Sequence, residues 1–233
     1  MASAQPIPIG DDDSIADCFA RRVAATPDAV AYREFDAAID AWTQSTWAET
    51  SRMVDRMRAA LAREGLKPGD RVAIMSRNCR DWVCFDQAAH AEGLVVVPLF
   101  ADDRPDNVAY ILNDSGARVV LVEGPEQVAK LAEVAERIPN VQRIVSIARP
   151  VAKGDVRVFA LDDWLPAPSA PRPPLEVPGH ALATIVYTSG TTGKPKGVML
   201  SHQNMLQNVK SGLGAYEVFP EDVFLSFLPL NTS

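Results

Sequence analysis

Apolar positions along this chain follow two periods, and the two alternate. At helical spacing, Ile15, Cys18, Phe19 and Val23 share one face of a helix predicted over residues 14–25, with Asp13 or Ser14 placed to cap it. Thr46 and Glu49 stand as a capping box and open a second helix, which carries Trp47, Val54, Met57 and Leu61 on one side and ends at Gly65. Further helices are predicted over 81–91, with Trp82, Phe85 and Ala89 inward, and over 105–113, 125–138 and 202–213, the last behind Ser201 as N-cap. Between them lie short β-rich runs at 29–35, 71–75, 94–99, 118–122, 141–147, 155–161, 181–187 and 223–228, with a turn over 36–42. The run 94–99 is wholly apolar, as a strand covered on both faces must be.

Strands that alternate with helices predict an α/β fold: a mostly parallel sheet flanked by helices, with loops at the strand carboxyl ends open to ligands. The order divides into a disordered N-terminus over 1–13 and an α/β subdomain over 14–165. A proline-rich connection over 166–178 follows, extended because proline fixes φ and lacks an N–H. A last segment over 179–233 holds a strand, a glycine-rich loop and a helix.

Composition narrows the function classes. The net charge is −7, from 23 basic and 30 acidic side chains, which disfavours nucleic acid as a partner. Cys18, Cys79 and Cys84 show neither metal-ligand spacing nor an even disulfide framework, which suits a reducing, cytoplasmic setting. The first residues lack the charge and apolar core of a signal peptide, and the longest apolar run is broken by Pro98. A peripheral membrane contact remains compatible with this composition.

The chemistry concentrates in residues 188–197. A loop this small and polar cannot build a core, but it can surround an anion. Gly190, Gly193 and Gly197 let the backbone turn and let a ligand approach closely. Thr188, Ser189, Thr191 and Thr192 offer hydroxyls, and successive N–H groups form a concave nest for phosphate oxygens. Lys194 and Lys196 add positive charge, with Pro195 stiffening the chain between them. Each hydrogen bond to a charged group contributes roughly 1.5–3 kcal/mol, so four or five could hold a polyphosphate. The spacing is not that of a Walker loop, because Gly193-Lys194 runs into Pro195, and no G-x-G-x-x-G occurs.

These residues resemble the AMP-binding signature of the adenylate-forming superfamily, which includes acyl-CoA synthetases, luciferases and peptide-synthetase adenylation domains. The likeness extends over residues 47–78 and 94–116 and covers most of the chain. VMLSHQNML and FLSFLPL are most similar to the bacterial long-chain fatty acyl-CoA synthetase branch. The resemblance implies that ATP and a carboxylate give an acyl-adenylate, from which the thiol of CoA then displaces AMP. It places Thr188, Ser189, Gly190, Thr191, Thr192, Gly193, Lys194, Lys196 and Gly197 around the ATP phosphates and Thr188 beside magnesium, although the place of Lys194 is variable in the family.

In that branch a Ser-His pair usually follows Leu-Pro-Leu; here Leu230 is followed by Asn231-Thr232-Ser233. Family members continue well beyond this point with the ribose, metal and adenylation residues. The expectation is therefore the incomplete N-terminal portion of the acyl-CoA synthetase large domain, inactive by itself, with no catalytic residue of its own and prone to self-association through an incomplete sheet. Two other readings stand: a non-catalytic nucleotide-binding or interaction protein that keeps the loop, and an aryl- or amino-acid-adenylating branch. None of the three histidines reads as a general base: His202 is a surface or packing residue at a helix start, His90 core, His180 solvated.

Overall fold

A computed structural model describes residues 7–149, 155–168, 170, 172, 175–188, 194–215, 218–219 and 222–230. Helix α1 (Ile15–Ala25) precedes a two-stranded antiparallel ribbon of β1 (Val30–Asp36) and β2 (Ala41–Thr46). Helix α2 (Trp47–Arg63) then leads into alternating strands and helices: β3 (Arg71–Met75), α3 (Arg80–Ala91), β4 (Val95–Leu99), α4 (Pro105–Ser115), β5 (Val119–Val122), α5 (Pro125–Glu133), β6 (Arg143–Ser146), β7 (Val158–Ala160) and the short α6 (Leu161–Trp164). The chain closes with β8 (Leu182–Thr188), β9 (Lys196–Ser201) and α7 (His202–Ala215).

Local chemistry sets the helix starts. Ser14 and Asp17 close a reciprocal capping box, as do Thr46 and Glu49, where Glu49 N–H donates to Thr46 Oγ1 at 3.2 Å and Thr46 N–H to Glu49 Oε2 at 2.8 Å. Pro105 opens α4 at its first turn, and Gly116, at φ 67°, ends it in the left-handed region that suits glycine.

The main sheet has seven strands in the order β7-β6-β5-β3-β4-β8-β9, all parallel except β9, which returns antiparallel to β8. Its central strands β3, β4, β5 and β6 are buried on both faces. Val72, Ile74, Val119 and Leu121 pack toward α2 and α3, while Ala73, Met75, Val120 and Val122 pack toward α4 and α5. Every residue of β4 is buried, as its unbroken apolar run requires. Pro98 lies in this strand and has no N–H to donate. The β4–β8 ladder is correspondingly short, registered at Val96 against Thr184, where the Thr184 hydroxyl adds a 2.8 Å bond to the Val96 carbonyl.

Four local expectations change. The turn over 36–42 is shorter, because β2 begins at Ala41 and pairs back on β1. The helix expected over 125–138 breaks at Val134 into a 3-10 turn at Ala135–Arg137. Lys196 and Gly197 do not belong to a loop: they begin β9, whose apolar Val198 and Met199 are exposed at the sheet edge. No strand forms over 223–228; this stretch pairs with no neighbouring strand among the described residues and exposes Phe224, Leu225 and Phe227. Helix α6, too short to show a period, is held by packing. Leu161, Trp164 and Leu165 join the core under α2, Trp164 Nε1 donates to Glu64 at 2.8 Å, and Arg56 grips the Pro166 carbonyl where the proline-rich connection begins.

Candidate functional site

The parallel strands bring their carboxyl ends to one edge. The connections after β3, β4, β5 and β8 all open there. Chain direction reverses between β3, which connects toward β4, and β5, which connects toward β6 on the other side. Such a reversal leaves a crevice in open α/β sheets. Here Arg77 and Glu123 bridge it: Arg77 N–H donates to Glu123 Oε2 at 3.0 Å and its Nε to Oε1 at 2.9 Å. The guanidinium holds the Glu123 carboxyl below its usual range.

Two strands from β3, the β8–β9 hairpin carries the glycine-rich stretch. Thr188 stands opposite Lys196 and Tyr187 opposite Gly197, so both legs of the loop leave the same edge. Thr188 and Lys196 are exposed at the hairpin mouth. Ser189, Gly190, Thr191, Thr192 and Gly193 lie outside the described residues.

The hairpin is braced from α4. Tyr187 donates its hydroxyl to Asp114 Oδ2 at 2.6 Å. Burial, then that carboxylate, raises the Tyr187 pKa well above the ordinary phenol, so the proton stays on Tyr187. The ammonium of Lys194 lies 5.4 Å from the centre of the Tyr110 ring, a cation–π distance. Lys194 and Lys196 therefore sit in different settings, one against an aromatic face and one free of the turn in a strand. Gly197 is required by close approach: a Cβ there would fall 2.7 Å from Ile185 Cγ2 and 3.1 Å from the Tyr187 ring.

Tyr110, Asp114, Arg77 and Glu123 carry no sequence signal that joins them to the loop. Each is distant along the chain, and only the crossovers bring them to this edge. Asn78 is a further such residue. Its amide binds the backbone of Ser226, Leu228 and Leu230, tethering the exposed apolar segment beside the Arg77–Glu123 bridge. The remaining histidines are remote: His90 and His202 are both buried, and His180 is exposed in the turn before β8. Burial of His202 corrects the surface part of its expectation and agrees with packing.

Among the described residues no cluster of three or more His, Cys, Asp or Glu side chains could hold a metal. A single threonine hydroxyl at Thr188 is a poor magnesium site, since that ion is held through protein carboxylates together with phosphate oxygens. No helix among the described residues is long and apolar enough to cross a membrane.

Comparison with known proteins gives the same picture over nearly the whole length. Residues 19–232 match the AMP-binding enzyme family. A long-chain-fatty-acid–CoA ligase, FadD15 of Mycobacterium bovis, is 30% identical over 235 aligned residues that cover 97% of this chain and 38% of the ligase. A phenyloxazoline synthase, MbtB of a Mycobacterium species, is 32% identical over 94% of this chain and 16% of its own. The inhibitor-bound crystal structure of the N-terminal domain of FACL13 from Mycobacterium tuberculosis superposes with a TM-score of 0.80 and 27% identity, covering 94% of this chain and 52% of that one. The chain thus spans well under two thirds of the length of these relatives.

Proposed function

The chain belongs to the AMP-binding enzyme family, and from that premise we propose that it forms the phosphate-binding wall of an ATP-dependent carboxylate-activating site, as the N-terminal portion of a long-chain fatty acid–CoA ligase. The observation that carries this reading is the hairpin register: Thr188 stands opposite Lys196 at the carboxyl edge of a parallel sheet, at the two ends of the glycine- and hydroxyl-rich stretch of sequence.

In the complete reaction a carboxylate oxygen attacks the α-phosphorus of ATP and pyrophosphate leaves; the CoA thiol then attacks the acyl carbon and AMP leaves. This chain's residues bind and orient. Thr188, Ser189, Thr191 and Thr192 donate to phosphate oxygens, Gly190 and Gly193 let the ligand approach the backbone, Gly197 lets β9 pass close to Ile185 and Tyr187, and Lys196 supplies the charge, with Lys194 adding to it. Stabilising a transferring phosphoryl centre requires charges from several directions, and one loop supplies one of them. Magnesium would be carried chiefly by the nucleotide, with Thr188 as its nearest side chain here.

The chain by itself is therefore a nucleotide binder without adenylation activity. Calorimetry with ATP, alongside ATP–pyrophosphate exchange with palmitate, tests this. Binding without exchange is expected; exchange that disappears in Lys196→Ala would overturn the inactivity. The likeness to the phenyloxazoline synthase supports a second reading, a branch that activates aryl or amino acids. Exchange measured on a longer form with palmitate, benzoate and amino acids separates the two. The free thiols Cys18, Cys79 and Cys84 suit a cytoplasmic setting. Exposed Val198, Met199, Phe224, Leu225 and Phe227 support self-association, which sedimentation of the chain alone would reveal.

A further inference from the structure

Away from the loop, at the opposite end of the sheet, two buried histidines meet. β9 runs back from the hairpin over six residues, which at about 3.3 Å each sets His202 about 20 Å from the phosphate loop. His202 opens α7 and is 0% exposed; His90, in the last turn of α3, is 1% exposed. Their rings stand edge to face with centres 5.0 Å apart.

One nitrogen of each ring has a polar neighbour. The Ile15 N–H, in the first turn of α1, donates to His202 Nδ1 at 3.3 Å. That nitrogen must be bare, so the neutral ring carries its proton on Nε2. His90 Nε2 lies 3.2 Å from Asp86 Oδ1, and a carboxylate beside Nε2 favours the tautomer with its proton there and Nδ1 bare. The two remaining atoms, His202 Nε2 and His90 Nδ1, are the ones with no partner, although both are fully buried. They are complementary, one donor and one acceptor, so the neutral pair sets no two like groups against each other. Protonating His202 places a donor on Nδ1 against the Ile15 N–H.

What the pair fastens is the N-terminal strap. Residues 10–15 cross α7 and the turn before β8. Gly179 N–H donates to the Asp12 carbonyl at 3.1 Å, Gln203 Nε2 to the Asp11 carbonyl at 3.2 Å, and Lys210 pairs with Asp11 at 2.9 Å. The charged groups around the pair are Asp86 from α3 and Asp17 from α1; the thiol of Cys18 lies on α1, Asp13 pairs with Arg21, and at the end of α3 Glu92 pairs with Arg58 of α2. None gives a second acceptor to either imidazole among the described residues.

We propose that His202, packed edge to face on His90, forms a proton-excluding latch, closed while the His202 ring is neutral, that holds the N-terminal strap and the start of α7 onto α3 and opens when that ring takes a further proton. Burial, with a smaller push from His90, holds His202 down from 6.5 to about 4. The sign follows: the opened state binds a proton that the closed state refuses. The latch is thus at full strength above the ordinary histidine value and weakens as pH falls toward about 4, with opening favoured by up to about tenfold per pH unit. This holds whether or not the loop binds nucleotide.

Nitrogen-15 histidine NMR on the full chain from about pH 7.5 to about pH 5, with amide exchange of residues 10–25 in parallel, tests it. The His202 ring should be the neutral Nε2–H tautomer and should not titrate while the strap is protected, and strap opening should rise steeply below about pH 6.5. A His202 ring that protonates with the strap still protected, or strap opening indifferent to pH, overturns the latch. His202→Asn keeps an acceptor for Ile15 and removes the titration, so its opening should be flat over the same range; an unchanged slope overturns the proposal. His180→Gln should leave the slope intact, and its loss there would assign the effect to the exposed histidine instead. Should His202→Asn fail to fold, the tautomers of the wild-type chain decide alone.

Discussion

The Asn78 side chain serves Leu228 as a neighbouring strand would: its Nδ2 donates to the Leu228 carbonyl at 2.7 Å, and its Oδ1 accepts from the Leu230 N–H at 2.9 Å. One amide thereby supplies the donor and acceptor that a sheet would otherwise give to a segment lying outside it. Replacing Asn78 with Ala removes both. Each such bond contributes about 0.5–1.5 kcal/mol, so local opening of residues 222–230 should rise by about tenfold. Chymotrypsin cleavage at Phe224 and Phe227 should speed up by that factor; an unchanged rate would show that the tether carries no weight.

The two lysines of the loop should differ. Lys196 is held in β9 with no partner for its ammonium among the described residues, whereas Lys194 rests on Tyr110. A charge-assisted bond contributes about 1.5–3 kcal/mol, so Lys196→Ala should weaken ATP binding by about 10- to 100-fold, and Lys194→Ala by less. Titration calorimetry on both variants gives the comparison, and equal losses would contradict the assignment.

Gly197→Ala should destabilise the chain without touching any ligand. The new methyl would stand 2.7 Å from Ile185 Cγ2, and relieving that overlap requires the hairpin legs to part. Overpacking of this kind costs about 1–3 kcal/mol, read as a fall in Tm by calorimetry. A variant as stable as the parent would mean that the hairpin widens freely.

Thr46→Ala removes the cap of α2. The Glu49 N–H loses its acceptor at Thr46 Oγ1, at a cost of about 1 kcal/mol, while the backbone bond from Thr46 N–H to Glu49 remains possible. Urea denaturation should show a lower midpoint with an unchanged slope, since the core beneath, around Met57 and Leu61, is untouched.

Where local chemistry governs, the sequence was sufficient. The caps at Ser14 and Thr46 and Pro105 at a first turn each act within a few residues, so their helices start within a residue of where spacing placed them. The uninterrupted run of β4 settled that strand's burial on both faces, and the glycine, hydroxyl and lysine order of residues 188–197 pointed to phosphate before any fold was considered. What failed locally was pairing. β9 was hidden because Lys196 and Gly197 suit a loop by composition and become a strand only against β8. The stretch 223–228 reads as a strand by composition yet has no neighbouring strand among the described residues.

The sequence by itself determined the layers, the family signature and the chemistry that the loop can offer. The tertiary structure alone decided which distant side chains stand beside one another: Tyr187 with Asp114, Lys194 with Tyr110, Asn78 with Leu228, and His90 with His202. The reason is physical. Capping and periodicity are properties of a few adjacent residues, whereas these pairs exist because right-handed crossovers return separate stretches of chain to the same ends of one sheet.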